Sequence, residues 1–286
     1  MRMRKFAHLK PKTLKEASAL LSQHNGKSRM IAGGTDLVVR MKEKMITPEY
    51  IIDLTYIPGI DKISYDAKSG LKIGALCPHH DIEYSPIVKE KYPALAGAVH
   101  TIGSVQVRNL GTIGGNLCNA SPSGDSAPVL IAMDARARIS GKAGERVVEL
   151  KDFFTGPGTT VLKTGEILTG IEVPNPPARS KAIYLKQSPR RAMDLAVVGV
   201  AVAISLASGG TVADVRIVMG AVAPTPVRAT KAEAMIKGKK PDEELIREAA
   251  RAASEEARPI SDIRSSKEYR KDIVEVLTRR AIEQTL

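Results

Sequence analysis

The chain has no tryptophan and only three phenylalanines in 286 residues. A core must therefore be filled by Ala, Val, Ile and Leu, which the 43% apolar content can supply. Cysteine is almost as scarce, with Cys77 and Cys118 alone. Two thiols exclude a disulfide framework and a four-cysteine metal site within the chain. Any iron–sulfur cluster then belongs to a partner, and both cysteines read as small buried hydrophobes. No apolar run approaches the ~20 residues needed to span a bilayer. The longest, Leu195 to Ala207, is shorter and strand-patterned. Met1 to Lys10 has no apolar segment behind its charges, so no signal peptide is evident and a cytoplasmic protein is expected.

Several chemical signatures are missing as well. Neither Gly33-Gly34 nor Gly114-Gly115 leads into the Gly-Lys-Ser/Thr ending of a Walker loop, and no Gly-x-Gly-x-x-Gly marks a Rossmann turn. There is no Gly-x-Ser-x-Gly elbow and no His-Glu-x-x-His. Cys77-Pro78-His79-His80 lacks a spaced fourth ligand, so no metal site is expected. Acids are missing from two stretches of a chain whose net charge is +12. Residues 1–15 hold six Lys/Arg, and residues 179–191 hold Arg179, Lys181, Lys186, Arg190 and Arg191. The excess suits an anionic partner. No aromatic interleaving or DNA-reading motif accompanies it, so nucleic acid is not expected.

What is present divides in two. Leu14, Ala17, Leu20 and Leu21 share one face of a helix over 12–24. A short strand at 28–34 ends in glycines, a helix follows at 35–45 with Thr35 or Asp36 near its N-cap, and a strand covers 49–54. This β-α-β unit spans about 1–56, closed by the turn Tyr56-Ile57-Pro58-Gly59. Strands at 70–76, 136–140, 146–150 and 166–174, with helices at 92–102 and 127–135, fill a second part. Pro174-Asn175-Pro176-Pro177 can continue neither a helix nor a central strand, so 174–179 reads as a linker. Beyond it, 181–187, 195–207 and 211–224 read as a three-stranded antiparallel sheet turning at Ser208-Gly209-Gly210. Helices at about 228–237, 241–257 and 266–284 complete an α+β chain with domains 1–176 and 177–286.

Two Gly-Gly segments raise the functional question. Glycine permits positive φ and lets consecutive N–H groups converge on an anion. Ala32, Gly33, Gly34 and Thr35 can form such a nest, with the next helix adding its dipole and Asp36 as its cap. Thr112-Ile113-Gly114-Gly115-Asn116 offers the same pattern. Either alone reads as an ordinary tight turn. Together they suit a ligand with two phosphates.

In their surroundings these segments are more specific. Residues 31–37, 102–135, 166–174 and 184–190 occur in an order and spacing that resemble the FAD-binding subunit of the molybdenum hydroxylases. That family includes the medium subunit of aerobic carbon monoxide dehydrogenase and the flavin subunits of xanthine, nicotinate and aldehyde dehydrogenases. The resemblance covers essentially the whole chain. It implies a two-part FAD domain of the vanillyl-alcohol-oxidase (PCMH) type followed by a smaller α+β domain. It implies that Ile31 to Asp36 form one pyrophosphate loop and Thr112 to Asn116 the other, with Ile102 and Gly103 packed near the FAD. Asp125 would reach toward the adenosine ribose, Ile167 and Leu168 would line the adenine end, and Lys186 would sit near the isoalloxazine. Read without the family, Asp125 is a turn acid, the Ile-Leu pair is strand core and Lys186 is a surface lysine. The partners implied are a large molybdenum-cofactor subunit and a small 2Fe–2S subunit in a dimer of heterotrimers, with an external electron acceptor. A free-standing FAD oxidoreductase of the same fold is the alternative. The four-cysteine insert of some relatives is missing, so FAD is expected to be the chain's single redox centre.

Overall fold

The computed structural model describes residues 3–190 and 192–286. Arg191, one of the five cations counted above, lies outside the described residues, as do Met1 and Arg2. The first unit runs β1 (Ala7–Leu9), α1 (Leu14–Gln23), β2 (Ser28–Ile31), α2 (Leu37–Lys42) and β3 (Tyr50–Asp53). The strands are parallel in the order β1-β3-β2. Two side chains cap the start of helix α1: the Thr13 hydroxyl accepts from Glu16 N–H at 3.1 Å, and the Glu16 carboxylate accepts from Lys12 N–H at 2.8 Å. Ala17, Ile52 and Leu54 pack on Ile60, Leu76 and Ile167 of the next unit. Strand β1 adds to the expected unit; three residues are too few to show a period.

The second unit runs β4 (Ile63–Asp66), β5 (Gly70–Gly74), α3 (His79–Tyr84), α4 (Pro86–Lys91), α5 (Pro93–His100), α6 (Val105–Leu110), α7 (Ile113–Asn119), α8 (Ser126–Ala132), β6 (Arg136–Gly141), β7 (Gly144–Glu149), β8 (Phe154–Gly156), β9 (Thr159–Thr160) and β10 (Ile167–Val173). Its main sheet is antiparallel, ordered β4-β5-β10-β6-β7. Leu71, Ile73, Ala137, Ile139 and Ile171 turn inward at alternate positions against helices α5 and α8. Proline at the first helical position starts α4 and α5, where its missing N–H costs nothing.

No strand or helix covers 174–179. After it come β11 (Ser180–Gln187), β12 (Val198–Leu206), β13 (Val212–Gly220), β14 (Val227–Arg228), α9 (Thr230–Ile236), α10 (Glu243–Glu256) and α11 (Lys267–Thr285). The antiparallel order is β11-β12-β13-β14, so the expected three strands gain a two-residue fourth. Pro226 and the helix start at Thr230 keep that strand too short to read from sequence. The long apolar run at 195–207 has a physical reason: the sheet is covered on both sides. Val198, Val200, Val202 and Ile204 face α10 and α11, whereas Ala201 joins the core of the second unit beside Leu130. Small residues on that side let the sheet approach α5 and α8. No helix among the described residues is long and apolar enough to cross a membrane.

Candidate functional site

A cleft opens where the loop after β2 meets the junction of α6 and α7. Backbone chemistry explains the first wall. The chain leaves β2 through Gly34, whose φ of +72° reverses it into α2. None of the N–H groups from Ala32 to Asp36 has a backbone acceptor among the described residues. Five consecutive backbone donors at a helix start are thus unpaired, an arrangement able to bind an anion. Gly33 serves a different purpose. A Cβ placed on it would stand 1.7 Å from the Leu110 carbonyl oxygen, so only glycine lets the two loops touch. Asp36 occupies the N-cap position of α2, but its side chain makes no capping hydrogen bond, contrary to expectation.

The second Gly-Gly is not a nest. Gly114 and Gly115 lie in the first turn of α7 without positive φ. Their donors are already used: Ile113 N–H bonds to the Cys77 carbonyl at 3.0 Å and Gly114 N–H to the Ala75 carbonyl at 2.8 Å. Gly115 N–H bonds to the Thr112 hydroxyl, which caps the helix, at 3.1 Å. These glycines are there for closeness, since a Cβ on Gly114 would stand 2.6 Å from Ala75. Thr112, Gly114, Gly115 and Asn116 still line the cleft, whereas the Ile113 side chain is wholly buried in the core. The Asn116 Oδ1 accepts from the Ser126 hydroxyl at 2.7 Å, which leaves the Asn116 amide NH2 as the free group.

Ile102, Ile167 and Leu168 supply apolar lining; Gly103 packs on Val107 outside the cleft. Consecutive strand side chains take opposite faces. Thus Ile167 belongs to the core of the first unit and Leu168 to that of the second, with the cleft between them. The turn before them is fixed by Arg146, whose Nε and Nη2 donate to the two Glu166 oxygens at 2.8 and 2.7 Å. Lys163 N–H adds a third bond at 2.7 Å. The Arg146 bonds foremost hold the Glu166 carboxyl down at about 2, against its burial. Its unfolded pKa is about 4.3. The stability it contributes is therefore complete above that value and is lost as pH falls from about 4.3 toward 2. Arg146→Leu is expected to melt earlier at pH 7 and to show a flatter melting-temperature profile in that acid window. Parallel profiles for variant and wild type would contradict this role.

Asp125 and Lys186 lie elsewhere. The Asp125 carboxylate accepts from the Tyr184 hydroxyl at 2.7 Å and from Lys186 Nζ at 2.8 Å. The Lys186 ammonium also donates to the Thr101 carbonyl at 3.0 Å. Both side chains are buried, and neither lines the cleft. Asp125, expected to reach toward the ribose, here forms an ion pair that ties the start of α8 to β11. Lys186 instead borders a separate hollow with Thr101, Ser188 and Arg190, next in sequence to Ile102 of the cleft. Within the basic stretch, Arg190 pairs with Asp194 at 3.0 Å.

Sequence reading missed His79, which lines the cleft beneath the loops and is 2% exposed. It gave no signal beyond its neighbour His80, and burial alone separates the two. Arg29 and Arg40 add cations to the lining, and their apparent lack of pattern hid them too. Cys118 also borders the cleft, but burial pushes both cysteine thiols up to about 12, so neither is a thiolate at neutral pH.

An anion cradle, cationic side chains and an apolar extension toward Ile167 fit a dinucleotide such as FAD. The comparisons agree. The family described as "FAD binding domain in molybdopterin dehydrogenase" matches residues 4–176, and "CO dehydrogenase flavoprotein C-terminal domain" matches residues 183–285. The glyceraldehyde dehydrogenase medium chain of Sulfolobus acidocaldarius is 38% identical over 98% of this chain and 98% of its own. The carbon monoxide dehydrogenase medium chain of Hydrogenophaga pseudoflava is 34% identical over 97% of this chain and 96% of its own. A solved carbon monoxide dehydrogenase of that organism superposes at a TM-score of 0.96 with 35% identity, over 100% of this chain and 98% of the other. Quinoline 2-oxidoreductase from Pseudomonas putida 86 gives 0.92 at 29% identity, over 100% and 98%. The chain belongs to the FAD-binding medium subunits of the molybdenum hydroxylases, the oxidoreductase family of carbon monoxide and xanthine dehydrogenases.

Proposed function

We propose that the chain passes electrons from the 2Fe–2S clusters of a small partner subunit to an external acceptor, while a large molybdenum-cofactor subunit oxidises the substrate. FAD, when bound, supplies the means of exchanging electron pairs with one-electron centres. The chain's own residues bind and orient it. The free amides of Ala32 to Asp36 and the Thr35 hydroxyl hold the diphosphate, with Arg29 and Arg40 balancing its charge. Thr112 and Asn116 form the facing wall, and Ile102, Ile167 and Leu168 exclude water from the flat apolar ends of the ligand. The Asp125–Lys186 pair ties β11 of the C-terminal part to the start of α8, away from the cleft. The observation that carries the reading is the row of free amides closed over by Gly33.

On this reading the substrate pocket lies in the large partner subunit, which is compatible with medium chains of enzymes named for different substrates being similar to this one. The test is anaerobic reduction of the flavin. Substrate is expected to bleach it only in the complex with both partner subunits. Bleaching of the isolated FAD-loaded chain by an organic substrate would instead favour a free-standing flavoprotein.

A further inference from the structure

The cleft contains a buried polar group that the fold itself does not use. His79 opens α3, and its backbone N–H bonds to the Gly111 carbonyl at 2.9 Å. Its side chain is 2% exposed, and Nδ1 has no hydrogen-bond partner among the described residues. Burial, reinforced by the Arg108 guanidinium, holds the ring's pKa down at about 4, so the imidazole is neutral at pH 7. A neutral imidazole carries one donor and one acceptor. Native proteins leave few such atoms unpaired, and a water, an ion or a ligand commonly accounts for them.

Position narrows the choice. A Cβ built on Gly111 would stand 3.3 Å from the Thr35 hydroxyl and 3.5 Å from the His79 Cδ2. The Cδ2 edge of the imidazole, which carries Nε2, therefore meets the Thr35 hydroxyl and Gly111 at the seam of the two loops, while the unpaired Nδ1 lies on the ring's other edge. Leucine would fill that space without stranding a polar atom.

We propose that Nε2 of the His79 imidazole hydrogen-bonds an oxygen of the FAD diphosphate, alongside the Thr35 hydroxyl and the amides of the first loop. The inference rests on the cleft being the FAD site. It gives the start of α3, which the sequence motif does not include, a direct part in holding the ligand. A neutral donor adds geometry without adding charge, and the arginines supply the charge.

The test compares the full-length wild type with His79→Leu and His79→Gln. FAD affinity is read by flavin fluorescence, ADP affinity by calorimetry, and the melting temperature without ligand. His79→Leu is expected to weaken FAD and ADP alike by about threefold to tenfold, the effect of one hydrogen bond. Its ligand-free melting temperature should equal or exceed the wild-type value, because an unpaired buried group is gone. His79→Gln should recover part of both affinities. Unchanged affinities in His79→Leu would overturn the inference, as would a loss confined to FAD, which places the contact away from the diphosphate. A lower ligand-free melting temperature would make the role structural and also overturn it. Failure of the wild type to bind either probe would overturn the reading of the cleft itself, and this inference with it.

Discussion

Gly33→Ala should strip FAD from a protein that remains folded. The added Cβ would stand 1.7 Å from the Leu110 carbonyl oxygen and 2.5 Å from its carbon, and both are backbone atoms. No rotamer relieves such a contact, so one loop must move away from the other. Neither core lies in the way. The clusters around Ile52 and around Leu130 do not include residue 33, so the stability cost should stay near the ~1–3 kcal/mol of ordinary overpacking. Binding should suffer far more, because the amide cradle and the wall at Thr112 lie on opposite sides of the contact. Losing one or two charge-assisted hydrogen bonds, each worth about 1.5–3 kcal/mol, weakens FAD roughly 100-fold. Gly26→Ala is the control. It has the positive φ, +77°, that Gly33 lacks, and open space around it, so strain of about 1 kcal/mol should leave FAD affinity unchanged. Fluorescence titration of both variants, with circular dichroism to confirm folding, checks the pair.

Lys186→Met should be the most destabilising single change at the domain junction. The side chains of Lys186 and Asp125 are 8% and 7% exposed, and the pair joins β11 to the start of α8. Without the ammonium, a buried carboxylate keeps only the Tyr184 hydroxyl. Breaking one side of such a pair costs about 3–5 kcal/mol, whereas replacing both sides can be near neutral. Lys186→Met is thus expected to lose that amount in urea unfolding, and Asp125→Asn combined with it to recover most of it. Burial already pushes the Asp125 carboxyl up, opposed by Lys186 and Tyr184, so removing Lys186 raises it further. A carboxyl whose folded pKa exceeds its unfolded one is relatively stabilised at low pH. The variant's deficit should therefore shrink as pH falls through the raised value. Single-variant losses below about 1 kcal/mol would show the pair to be incidental.

These two sites also show what the sequence could and could not reveal. Both Gly-Gly segments were visible, but adjacent glycines serve positive φ and close packing equally well. The neighbours, Leu110 at Gly33 and Ala75 at Gly114, show close packing at both; what separates the two loops is that the amides of the first lack backbone acceptors among the described residues and those of the second have them. Asp125 and Lys186 stand 61 residues apart, and nothing in either local pattern announces that they neutralise each other. Long alternating strands such as β12 and β13 were legible, as were α10 and α11, because a period shows over several turns. The six-residue helices α3, α4 and α6 were not, since fewer than two turns carry no period and their starts depend on Pro and Ser at single positions. His79 was hidden for a third reason. Its importance lies in being buried without a partner, and burial is a tertiary property.

The most direct measurement is the flavin content of the purified chain after incubation with FAD and removal of the excess, read from its visible spectrum. The account predicts about one FAD per folded chain, released by competing ADP because both ligands need the amides of Ala32 to Asp36. A folded chain that retains no flavin, alone and co-expressed with its partner subunits, would contradict it.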